Sequence, residues 1–123
     1  MHFRTITACA LGLLVSAGSA LAEAAPPTFE GAPETYKMIF DSDKFRVISA
    51  TWKAGTTDKP HGHPLAFVVY PLDDCTIRVH NPDGSTRDVV SKAGVPTPGP
   101  VTESHTAENI TGRDCHAIFV ERK

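Results

Sequence analysis

The sequence predicts an all-β domain, a sandwich or barrel of short strands. Three observations carry this. No window beyond residue 22 keeps apolar residues at i, i+3, i+4 and i+7, the spacing an amphipathic helix needs. Several runs of strand length instead alternate or stay apolar throughout, at close intervals. Gly and Pro, 9 and 10 of 123 residues, gather between those runs, where turns are expected.

The first segment reads as a secretory signal peptide. Met1-His2-Phe3-Arg4 is a short basic start, and Ile6 to Ala17 is an apolar run. A retained membrane anchor is the alternative, but the run falls short of the roughly 20 residues a spanning helix takes. Ser19-Ala20-Leu21-Ala22 sets Ala at both small-residue positions of an A-x-A cleavage site. Cys9 precedes most of the apolar run, which argues against lipoprotein processing. Residues 1–22 are thus expected to be removed, with no membrane anchor left afterwards and a periplasmic or secreted location.

Residues 23–43 read as an extended N-terminal arm, because Glu23 to Thr35 holds three prolines and no periodicity. The domain proper is expected over 44–123. Phe45, Val47, Ser49 and Thr51 alternate with Arg46, Ile48, Ala50 and Trp52, as in a strand. Leu65 to Tyr70 is a continuous apolar run closed by Pro71. Thr76 to His80 alternates again and meets Asn81-Pro82-Asp83-Gly84, a turn in which Gly84 takes positive φ at little cost. Arg87 to Val90 returns from it, completing a hairpin. A Gly–Pro cluster from Ala93 to Pro100 excludes helix, and His116 to Glu121 is a last strand. Trp52, Phe67, Tyr70 and Phe119 are expected in the core, while Tyr36 has no assigned place.

Charge and composition exclude several classes. The formal net charge is -2; losing the signal peptide removes Arg4 and no acid, leaving 11 basic residues against 14 acidic. There is no basic footprint for nucleic acid. No G-x-S-x-G elbow and no Gly-rich phosphate loop occur. Cleavage also removes Cys9, leaving Cys75 and Cys115 in an oxidising compartment, where disulfides persist. Two free thiols is the alternative.

The chemistry gathers around His61-Gly62-His63, two histidines at i and i+2 that an extended segment projects to one side. Pro60 and Pro64 hold that segment extended. A second block runs from Gly94 through Pro100 to His105 and Asn109. Together the blocks resemble the paired motifs of the cupin superfamily, G-x5-H-x-H-x3,4-E-x6-G and G-x5-P-x-G-x2-H-x3-N. Gly55, His61, His63, Gly94, Pro100, His105 and Asn109 fall in register. The chain departs at the glutamate, where Phe67 (or Val68) stands, and at two glycines, replaced by Asp74 and Thr102. It is similar to small single-domain bacterial cupins, including those linked to β-alanine degradation.

The resemblance implies a jelly-roll β-barrel with a divalent transition metal (Fe, Mn, Ni, Cu or Zn) on His61, His63 and His105. Losing the carboxylate ligand raises the charge of such a site and favours an anionic small-molecule ligand or substrate. A metal-dependent oxygenase- or isomerase-type cupin is one expectation; a metal-free barrel acting as a small-ligand binding or accessory protein is the alternative. The same resemblance brings Cys75 and Cys115 to one end of the barrel as a disulfide, with the pocket at the other. Asn109 would tie down backbone near the pocket. Asp58 and Glu103 are the nearest acid–base candidates, Glu103 facing solvent, and His80 and His116 are expected outside the site. A homodimer is compatible with the apolar strand faces.

Overall fold

The computed structural model describes residues 24–123. The signal-peptide segment, 1–22, lies outside the described residues. One helical turn, α1 (Thr28–Gly31), precedes nine strands. These are β1 (Tyr36–Asp41), β2 (Phe45–Trp52), β3 (His61–His63), β4 (Phe67–Pro71) and β5 (Cys75–His80). Then come β6 (Thr86–Ser91), β7 (Thr97–Gly99), β8 (Thr102–Asn109) and β9 (Cys115–Arg122).

The strands form two antiparallel sheets, in the orders β1-β2-β9-β4-β7 and β3-β8-β5-β6. They face each other as the halves of a jelly roll whose barrel is not closed by hydrogen bonds. Alternation decides what each strand buries. Ile48, Ala50 and Trp52 of β2 point inward with Ala117 and Phe119 of β9; Ile77 of β5 and Ala107 of β8 meet them from the other sheet. The expected hairpin is β5–β6, running from Cys75↔Ser91 to His80↔Thr86, and Gly84 sits in its turn at φ 87°.

The stretch read as an extended arm differs from that expectation. It contains α1, and β1 pairs with β2 as an edge of the larger sheet. A register shift between Met38 and Phe40 breaks the alternation, and Met38, Ile39 and Phe40 are all exposed, so no period of two showed in the sequence. Tyr70 is a second correction. It is 43% exposed, because Phe67, Val69 and Pro71 take the inner face of β4.

Cys75 and Cys115, the first residues of β5 and β9, are joined in a disulfide across a sequence separation of 40. Beside it Asn109, fully buried, donates through Nδ2 to the carbonyls of Trp52 (2.9 Å) and Arg113 (2.7 Å) and accepts from Thr111 N–H at 2.9 Å. This ties the β8–β9 turn to β2. Among the described residues no helix is long and apolar enough to cross a membrane.

Candidate metal centre

β3 is three residues long and all three are buried. Alternation sends both imidazoles to the inner face and turns Gly62 outward, into a crowded space. A Cβ there would lie 2.7 Å from the Glu103 carbonyl oxygen and 3.1 Å from that of Ala25. The crowding comes from the segment before α1. Gly62 N–H donates to the Pro26 carbonyl at 2.8 Å, and Ala25 N–H donates to that of Glu103 at 3.0 Å. The N-terminal segment thus pins the histidine strand from behind. His105, on β8, is the direct cross-strand partner of His61 and enters the same face.

The three rings converge through Nε2. That of His105 lies 3.1 Å from His61 Nε2 and 3.2 Å from His63 Nε2. His61 Nδ1–H donates to the Lys59 carbonyl at 2.9 Å, which turns its Nε2 toward the other two rings. Burial, then the charges of the other two imidazoles, pushes His63 down to about 3; burial, then His61 and Arg87, pushes His105 down to about 4. Both rings are therefore neutral near pH 7. The contacts among the three rings leave the Nδ1 atoms of His63 and His105 buried without a partner. A divalent cation would be held by the Nε2 atoms of His61, His63 and His105. With metal–nitrogen bonds of about 2.1 Å, neighbouring ligands stand about 3.4 Å apart in a tetrahedron and about 3.0 Å apart in an octahedron. The two spacings from His105, 3.1 and 3.2 Å, fall between those values and all three ligand atoms lie within 4.8 Å of one another, so the donor set fits a metal.

Two further residues complete the surroundings: Asp58, expected as an acid–base candidate, and Tyr36, which had no assigned place. The Asp58 side chain is fully buried. Its Oδ1 accepts from Ala107 N–H at 2.7 Å; its Oδ2 accepts from Trp52 Nε1–H at 3.2 Å and from Tyr36 OH at 3.1 Å. Burial raises the Asp58 pKa, against the lowering effect of His61 and these hydrogen bonds. The Tyr36 hydroxyl also stands 3.2 Å from His61 Nε2, and burial, then the Asp58 charge, raises its pKa well above that of an ordinary phenol. Tyr36 is thus a protonated hydroxyl beside the converging nitrogens. Asp58 had only its place before the His pair to mark it; Tyr36, distant in sequence, had no signal.

Phe67, at the motif's glutamate position, stacks on His63 with ring centroids 4.5 Å apart and planes 24° apart. The carboxylate ligand is replaced by an apolar wall. Glu103 is exposed. His80 pairs with Glu108 and His116 with Asp73, each at 2.7 Å and away from the triad.

A cavity of about 150 Å³ adjoins the site. His63 and His105 line it, but so do Cys75 and Cys115, which corrects the expectation of a pocket at the opposite end from the disulfide. The inward residues Ala107 and Ala117 are too small to fill the space between the sheets, so the cavity reaches from one end to the other.

No protein-family model matches the chain, and no curated protein does. Solved structures do match. A cupin domain from Bordetella pertussis, 20% identical, aligns over 80% of this chain and 96% of its own with a TM-score of 0.66. An RmlC-like cupin family protein with a double-stranded β-helix fold from Methanocaldococcus jannaschii is 10% identical over 71% of this chain and 77% of its own, TM-score 0.57. The polyketide cyclase RemF from Streptomyces resistomycificus is 22% identical over 89% and 80%, TM-score 0.54. Identities this low carry the fold and not the activity. The fold is that of a small single-domain cupin. Within it, this chain has three buried histidines close enough to share an ion and Phe67 at the motif's carboxylate position.

Proposed function

We propose that this protein is an exported cupin that holds a divalent transition metal on His61, His63 and His105 and presents it to a small anionic ligand. The observation that carries this is the convergence of three buried histidines, with His105 Nε2 3.1 and 3.2 Å from the Nε2 atoms of His61 and His63 and all ligand atoms within 4.8 Å of one another. Imidazole suits Fe, Ni, Cu and Zn. Three protein ligands leave coordination positions open, and with no carboxylate among them the site keeps the full charge of the ion. A bound ion would supply Lewis acidity toward a carbonyl or carboxylate. The chain's own part is to orient: Lys59 fixes the His61 tautomer, Asp58 holds Tyr36, and Phe67 backs His63. The signal-like N-terminus and the Cys75–Cys115 disulfide support export. N-terminal sequencing of the exported chain should begin at Glu23.

Titration with Co(II), followed by its visible absorption, tests the site. One equivalent should give a saturating nitrogen-ligand spectrum, and the His61→Ala and His105→Ala variants should lose at least about a hundredfold in affinity. A folded wild type that takes up no ion would overturn the metal reading. The metal-free ligand-binding barrel, which the apolar Phe67 wall favours, would then stand in its place.

A further inference from the structure

The cavity has a chemistry of its own. Its walls are formed largely by Trp52, Phe67, Val69, Ile77, Val89 and Phe119. The lining continues along one edge strand of each sheet, Arg87 and Ser91 on β6 and Thr97 to Gly99 on β7, so the cavity follows a seam where the barrel is open. A space of about 150 Å³ with walls this apolar is large enough for a guest the size of benzene.

One cation faces this space. Arg87 is the cross-strand partner of inward-facing Val79 and lines the cavity with it. The acids near it are engaged elsewhere, Asp88 by Arg78 at 2.9 Å and Glu108 by His80 at 2.7 Å. Among the described residues the Arg87 guanidinium has no hydrogen-bond or ion-pair partner. Val79 is in turn the register partner of Ala107, two residues from His105 on the inward row of β8, which places Arg87 on the triad's side of the cavity. The disulfide end is different. There Asp73 accepts from the His116 backbone N–H at 2.8 Å and pairs with its ring at 2.7 Å, leaving a carboxylate where an anion is unwelcome.

We infer that the cavity binds a small apolar monocarboxylate, its body a single ring or a branched chain of about six carbons, and its carboxylate between Arg87 and the histidine triad. This rests on the metal reading insofar as the carboxylate takes an open coordination position. The body lies among the aromatic and branched residues and gains by leaving water. The head gains a charge-assisted hydrogen bond from Arg87.

Calorimetric titration of the disulfide-bonded, zinc-loaded protein with benzoate tests this, with acetate as a head lacking the body and benzyl alcohol as a body lacking the carboxylate. Benzoate should bind at least about tenfold tighter than either. Arg87→Gln should remove about tenfold of the benzoate affinity and leave benzyl alcohol unchanged. Ala117→Leu, which fills the cavity, should abolish benzoate binding while zinc content stays constant. Benzoate binding no tighter than acetate, or unaffected by Arg87→Gln, would overturn the inference. Elemental analysis of the same samples separates the two readings. Protein that holds zinc but ignores benzoate contradicts the cavity inference alone. Protein without zinc that still binds benzoate through Arg87 contradicts the metal reading alone.

Discussion

Phe67 does the orienting that hydrogen bonds usually do at a metal site. The Nδ1 atoms of His63 and His105 have no partners, whereas ligating histidines ordinarily donate that N–H to an acceptor. His63 is held instead by the Phe67 ring and by Phe119, whose centroid lies 5.8 Å away. Phe67→Ala should therefore weaken zinc binding by roughly tenfold, measured by competition with a chromophoric chelator, and an unchanged affinity would contradict the role given to the ring. A second residue, Glu121, is fully buried 3.5 Å from the Arg46 guanidinium. Burial raises its pKa despite Arg46. The folded state then binds the proton more readily than the unfolded chain, so this residue's contribution to stability falls as pH rises from the ordinary glutamate value through the folded one. Exposed carboxylates such as Asp41 and Asp88 are shifted down and act oppositely, so the residue is isolated by subtraction. Unfolding free energies of wild type minus Glu121→Gln between pH 4 and about 7 should slope downward with pH, and an upward slope would refute the assignment. The converging histidines were legible only through the resemblance: the motif pair implied His61, His63 and His105 as one set. Asp58 was legible only as a candidate acid beside the pair, and Tyr36 was not, since its contacts to Asp58 and His61 span 22 and 25 residues and no local pattern encodes such a meeting.

At the scale of elements, short strands do their work through what the neighbouring strand leaves open. β7 is three residues long, and its Gly99 is the register partner of Phe67. A Cβ on Gly99 would fall 1.8 Å from Phe67 Cζ, so the ring occupies the space a side chain would take. Gly99→Ala should destabilise the protein by about 1–3 kcal/mol in urea unfolding. Combined with Phe67→Ala, much of that loss should disappear, and strictly additive effects would show that the two residues do not share the space. The alternating runs of β2 and β5 were legible because one face of each is buried and the other wet. β1 was not, since an exposed edge strand with a register shift has neither a buried face nor a steady period. β8 could be placed only through its motif. Thr102 to Asn109 is mostly polar, and its inward row is His105, Ala107 and Asn109.

At the scale of the whole molecule, two sheets are held together by a shared core and one covalent link. The Cys75–Cys115 disulfide closes a separation of 40 residues. Restricting the unfolded chain over such a loop is worth about 4 kcal/mol, a large part of a small domain's stability. Urea unfolding with and without reductant should show a loss of that order, whereas a loss below about 1 kcal/mol would mean that the two sheets hold together without the link. The class and the jelly-roll order were legible, the first from strand periodicity and the second from the motif pair. The open seam and the cavity were not. A void arises where Ala107 and Ala117, far apart in sequence, face a common interior, and no linear pattern records the volume they leave. The metal centre proposed for His61, His63 and His105 borders this volume. Elemental analysis of untagged protein isolated from its native compartment, beside the His105→Ala variant, addresses it most directly. Close to one divalent transition ion per wild-type chain and none in the variant is the expected result. A well-folded wild type free of metal would contradict it.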